Sequence, residues 1–198
     1  MGKKKKINIG SAECFRTAWN GTVPVLSTIC TEANRFTHIK NGATLDIAQE
    51  KITETDDLEM VSKTSLKAEK IKVKFGVMTF DGDTMKYLVA TAREGTTTET
   101  GKTLTKIGGV ANDDETAYLW CLHHIDKKDG DIWVVFVGKQ NAGVTIDFKL
   151  DSATVINAEV DAEPLDDEGT KLFYFEENKE TEDNGETEDN GETEDNGN

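Results

Sequence analysis

Several short stretches of this 198-residue chain carry residue types that could do chemistry. Residues 95–103, GTTTETGKT, resemble a phosphate-binding loop at first sight. That loop needs four residues between its first glycine and its Gly-Lys pair, and a strand before and a helix after, so that backbone amides and the helix dipole meet phosphate. Here five residues separate Gly95 from Gly101, and the local pattern predicts a helix before and a strand after. The segment therefore reads as a polar loop. His123 and His124 are adjacent in YLWCLHHI. On a strand they point to opposite faces, so they cannot share a metal, and His38 is remote in sequence. Residues 126–132, DKKDGDI, lack the spacing of a calcium-binding loop, and no G-x-S-x-G nucleophile signature occurs. Carboxylates are so numerous that a pair of them carries no information. These readings predict neither a catalytic residue, nor a metal, nor a cofactor, and the chain is expected not to be an enzyme.

Cys14, Cys30 and Cys121 are odd in number and match no zinc pattern. They read as small buried apolar residues of a protein made in a reducing compartment. The formal charge is −15, but residues 176–198 hold eleven Asp/Glu against one Lys. That segment carries −10, which leaves −5 for the other 175 residues. A mildly acidic body does not suit a sequence-specific reader of nucleic acid. The terminal segment repeats ETEDNG three times without an apolar residue, so it has nothing to bury and is expected to be a disordered acidic tail over 177–198. At the other end, MGKKKKINIG has lysines but no apolar run behind them, so it is read as a flexible N-terminus over 1–8 and not as a signal peptide. No apolar stretch approaches 18 residues, and no membrane insertion is expected.

Between these ends the pattern is mainly β. Ile71, Val73, Phe75 and Val77 alternate with Lys72 and Lys74, and Ile156, Ala158, Val160 and Ala162 alternate likewise over 155–162. Val144, Ile146, Phe148 and Leu150 predict a further strand over 144–150. Residues 132–138, IWVVFVG, are apolar without alternation, as in a strand covered on both faces, and 170–176 is a short aromatic strand. Further strand candidates are 23–30, 43–48, 104–110 and 117–125. Asp129, Gly130 and Asp131, then Asn141, Ala142 and Gly143, then Asp167, Glu168 and Gly169 supply hairpin-type turns. Met85, Leu88, Val89 and Ala92 fall at helical spacing, which predicts one helix over about 82–93, capped by Asp81 or Asp83 and closed at Gly95. Residues 49–70 are polar and weakly patterned, and read as a long loop. Its apolar residues Ile52, Leu58, Met60, Val61 and Leu66 would be poorly buried in a monomer, and are the candidate residues of a subunit or ring interface.

The order of segments, KIGGVANDDETAYL, then GDIWVVFVGKQNAGVTIDFKLDS, then TVINAEVDA, LDDEGT and a closing aromatic strand, resembles the major tail tube proteins of phages of Gram-positive bacteria and of related tail-like particles. The resemblance runs from about residue 6 to residue 177 and leaves out the repeats. It implies two antiparallel sheets packed as a sandwich or partial barrel, with one flanking α-helix, in a domain over 1–176. It implies that six subunits form a ring and that rings stack into a hollow tube, a conduit for DNA ejection. The implied partners are copies of the chain itself, DNA passing non-specifically through the lumen, and other tail proteins: tape measure, tail terminator, and distal tail or baseplate. The implied location is the virion tail, after assembly in the host cytoplasm. The alternative is a monomeric β-sandwich module for binding or attachment, which would present an exposed aromatic platform built from Trp19, Trp120 or Trp133.

Overall fold

The computed structural model describes residues 12–79, 81–113, 116–140, 143–146, 150 and 154–177. The N-terminal lysines and the ETEDNG repeats lie outside the described residues. The strands are β1 (Ala12–Ala18), β2 (Arg35–Thr55), β3 (Ser62–Val77), β4 (Arg93–Gly95), β5 (Leu104–Lys106), β6 (Tyr118–His124), β7 (Ile132–Gln140), β8 (Ile156–Glu163) and β9 (Leu172–Glu176). Two short helices, α1 (Leu26–Ile29) and α2 (Gly82–Leu88), accompany them. The chain is mainly β, as its periodicity implies, with a large antiparallel sheet and a small one made of β4 and β5.

The large sheet closes on itself. Its order is β6-β1-β2-β3-β8-β7, and β6 also pairs with β7 over its whole length, from Tyr118 opposite Gly138 to His124 opposite Ile132. Closure satisfies backbone groups that an open sheet leaves bare. Alternation then sends one residue set into the barrel: Ile71, Val73, Phe75 and Val77 of β3, Trp120 and Leu122 of β6, Phe136 of β7, and Ile156, Ala158, Val160 and Ala162 of β8. Trp120 is fully buried; Phe36 meets it edge-on at 5.1 Å between ring centres, and its indole N–H donates to the Gly138 carbonyl at 3.1 Å. A second cluster lies outside the wall, where Phe15, Leu119, Cys121, Val135 and Val137 are covered by Ile29 of α1 and by Leu165. The strand β7 is thus covered on both faces, as its unbroken apolar run predicts.

Four strand and turn expectations need correction. Residues 23–30 hold α1 and not a strand: Leu26 and Ile29 lay one side of a helical turn on the outer cluster, which alternation cannot do. Residues 104–110 split into the three-residue β5 and a 3-10 turn that begins at Val110. Residues 143–146 are irregular, although Val144 and Ile146 still pack on the barrel core; Leu150 is exposed, and Phe148 lies outside the described residues. Finally, Asp167, Glu168 and Gly169 do not close a hairpin. Both β8 and β9 pair with one edge of β7, β8 against Val137–Gln140 and β9 against Ile132–Phe136, so they run end to end along it. The residues between them make an excursion pinched by the Leu165 N–H to the Thr170 carbonyl at 2.6 Å.

The helix is shorter than expected. Asp81 caps it by accepting from the Thr84 N–H at 2.8 Å, but Val89 is already extended (φ −130°, ψ 110°), and Arg93 and Gly95 are drawn into β4. Met85, Leu88 and Val89 nevertheless face the barrel core, and Leu88 is buried there. Leu88→Asp strands a charge against that core and is expected to unfold the protein; full retention of thermal stability would rule out the packing described. The amide and hydroxyl of Thr84 also hold the Asp81 carboxyl below its usual range. A lowered folded-state pKa stabilises above the unfolded value and ceases to do so as pH falls through the folded one. Asp81→Ala should therefore cost about 1 kcal/mol at neutral pH and progressively less in acid, measured by urea denaturation across pH.

Candidate assembly interface

The strands β2 and β3 form one long antiparallel hairpin whose root belongs to the barrel and whose far half does not. At the root, β2 pairs with β1 through Arg35, Thr37 and His38, and β3 pairs with β8 from Lys72 to Val77. Beyond these residues neither outer edge has a strand partner among the described residues. Among the described residues the ribbon is last tethered to the body by Lys171, whose ammonium donates to the Glu69 carbonyl at 2.7 Å. Past it, residues 50–55 at about 3.3 Å each carry the ribbon a further 20 Å or so. The tip closes where the Asp56 carboxylate accepts from the Val61 N–H at 2.7 Å, and Glu59 takes the left-handed conformation (φ 55°) that such a turn requires.

Residues 49–70 are therefore two strands and a turn, in place of the loop expected. Residues 50–67 are exposed throughout, so the apolar alternation that marks a half-buried strand is missing. Cross-strand pairs hold it instead: Thr53 and Thr64 hydroxyls at 2.8 Å, Gln49 and Glu69 at 2.7 Å, Lys67 and Glu50 at 2.6 Å. A register shift near Glu50 places Lys67 against that carboxylate.

The two faces differ. Opposed residues share a face, so Leu45 and Ile47 extend the surface that Val73 and Ile71 present to the barrel core. Val73 is fully buried, whereas Ile47 is 51% exposed, so the apolar stripe continues off the barrel into solvent. All five candidate interface residues lie on this ribbon: Ile52 in β2, Leu66 in β3, and Leu58, Met60 and Val61 in the tip. All are exposed, the tip residues by 70% or more. The sequence reading missed Leu45 and Ile47, because 43–48 looked like an ordinary half-buried strand; only the register shows that they overrun their partners' cover. The other face is ionic. Lys72 meets Glu159 at 2.5 Å and Asp161 at 3.5 Å, and Lys74 meets Asp46 at 3.8 Å. The Lys72 ammonium holds the Glu159 carboxyl below its usual range. A shallow depression of about 410 Å³ on this face is lined by Gly42, Thr44, Lys74, Gly76, Asn157 and Glu159, with Lys74 and Glu159 3.7 Å apart.

The residues weighed for chemistry are tied into the framework. His123 is 2.9 Å from the Asp131 carboxylate and stacks on Trp133 at 4.9 Å. The 126–131 turn closes on itself, with Asp126 accepting from the Lys128 and Asp129 amides. In the loop between β4 and β5, Lys102 pairs with Glu99. Among the described residues no group of three or more His, Cys, Asp or Glu side chains is placed to hold a metal ion, and no helix is long and apolar enough to cross a membrane.

No protein-family model matches the chain, and no curated protein matches it.

The ribbon's independence from the barrel can be measured. Asp56→Ala removes the acceptor that closes the tip, so the amides of residues 53–64 should exchange hydrogen faster while those of β6 and β7 stay protected. Equal acceleration in β6 and β7 would mean that the ribbon and the barrel open together.

Proposed function

We propose that the protein is a structural subunit that assembles with its own copies through the β2–β3 ribbon, and that the assembly is a phage-type tail tube. The observation that carries this reading is the ribbon itself: a two-stranded arm with two unpaired edges and an exposed apolar stripe. An isolated hairpin is marginal in water, and bare edges invite pairing. A neighbour that adds a strand to each edge and covers Leu45, Ile47 and Leu66 removes both liabilities at once. Repeated around an axis, this edge-to-edge joint gives a closed ring whose wall is a continuous sheet. The resemblance in segment order supplies the rest: six subunits per ring, rings stacked into a hollow conduit for DNA, with tape-measure, terminator and distal tail proteins as further partners in the virion. The modest negative charge of the body suits a wall along which phosphate slides without sticking.

A monomeric binding module fits less well. Of the tryptophans that could build its aromatic platform, Trp120 is buried in the barrel, and Trp19 and Trp133 are half-buried against the outer cluster; Tyr174 and Phe175 of β9 are exposed but, as neighbours on a strand, point to opposite faces.

Negative-stain microscopy of concentrated protein tests the reading. Hollow rods of regular width are expected from the full chain. Replacing Leu58, Met60 and Val61 together with Ser should leave a folded monomer that forms no rods, because these side chains touch no core. Normal rods from the triple variant would remove the tip from the interface. A full chain that stays monomeric at every concentration would favour the binding module.

A further inference from the structure

Two of the three cysteines meet on the outer face of the barrel. Cys121, on β6, is fully buried among Leu119, Val135 and Val137, and its Sγ lies 3.7 Å from that of Cys30, which ends α1. Cys30 is half-buried. The chain that presents it is held from both sides: Ile29 is sunk in the outer cluster, and the Asn34 amide donates to the carbonyls of Thr28 and Ile29 at 3.0 and 3.1 Å. Cys14 is buried across the barrel wall, among the interior residues. The pair is thus selected by geometry: one thiol within reach of solvent, one buried partner in sulfur contact behind it, and a third thiol walled off.

We infer that Cys30 and Cys121 form a reversible disulfide when the protein meets a small-molecule disulfide. The Cys30 thiolate attacks one sulfur of the oxidant, breaking its S–S bond and releasing one thiolate. Cys121 then gives its proton to the thiolate just released and attacks Cys30 Sγ in the mixed disulfide, releasing the second thiolate, which takes up the proton lost by Cys30. Two S–H bonds are lost and one S–S bond forms, and the two electrons reduce the oxidant to two thiols. The roles follow from the surroundings. Half-buried Cys30 is the thiol that an oxidant can reach, whereas the Cys121 thiol behind it is raised by its hydrogen bond with Cys30 and by burial. The product pins the α1 segment to β6 and closes a loop between positions 91 apart. Such a cross-link restricts the unfolded chain far more than the folded one.

Oxidised glutathione added to the full-length folded protein, followed by intact mass without reductant, tests this directly. The expected product is lighter than the reduced protein by two hydrogens and carries no glutathione. Cys14→Ala should give the same product, and Cys30→Ser should give no internal cross-link. The half-buried position 30 carries the assignment, because a polar side chain at buried position 121 could disturb the fold. Thermal unfolding of the oxidised wild type should shift upward by several degrees and return on adding dithiothreitol, with no such shift in Cys30→Ser. A wild type left unchanged, one that stops at a stable glutathione adduct, or a cross-link mapped to Cys14 would overturn the proposal.

Discussion

The double pairing of β6 is the constraint on which the rest of the body depends. By hydrogen-bonding β1 along one edge and β7 along the other, it turns a curved sheet into a closed wall and so defines an inside and an outside. The same strand supplies Trp120 to the inside and Leu119 and Cys121 to the outside. The indole at the centre is oriented by the Gly138 carbonyl, and Gly138 must be glycine, since a Cβ there would run into the Asp161 carbonyl of β8. The fit of β8 against β7, the position of the indole and the closure of the ring are therefore parts of one arrangement. Near one end of it, Arg16 lies over the Tyr87 and Tyr118 rings and ties α2 to the wall.

Against this body the β2–β3 ribbon stands out by what it lacks. Its strands obey the same pairing rules, but among the described residues no second layer covers its far half, and stability there rests on cross-strand hydroxyl, amide and ion pairs. Exposed pairs of that kind contribute only tenths of a kcal/mol each. Its exposed apolar residues therefore add little to the folded state. The ionic and apolar faces also give the ribbon a sidedness, which a neighbour or a channel would each read differently.

Much of the barrel was legible in the sequence. Residues 71–77, 118–124, 132–138, 156–162 and 172–176 show themselves because burial on one or both faces imposes a hydropathy pattern on each strand. Two of the failures share a cause: pattern reports cover, not hydrogen bonding. The ribbon over 49–70 looked like a loop because it is paired but uncovered, and 23–30 looked like a strand because its apolar residues are covered but unpaired. The end-to-end placing of β8 and β9 on a single β7 edge was invisible, since the same turn residues serve a hairpin or an excursion. The candidate interface residues could be named from their awkward exposure alone. Leu45 and Ile47 could not, because their exposure depends on how far β2 and β3 outrun β8.

The closing seam joins residues a hundred or more positions apart, Ala12 with His124 and Ala18 with Tyr118, whereas the hairpin begins between Thr55 and Ser62. Local pairings form in microseconds, while contacts of such sequence separation must wait for a long loop to close. The arm therefore takes shape while the barrel is still open, and during synthesis it is complete before β6 has been made. A nascent chain thus presents its stickiest surface early and its most stable one late. The order of these two events decides which surface of the growing chain is finished first.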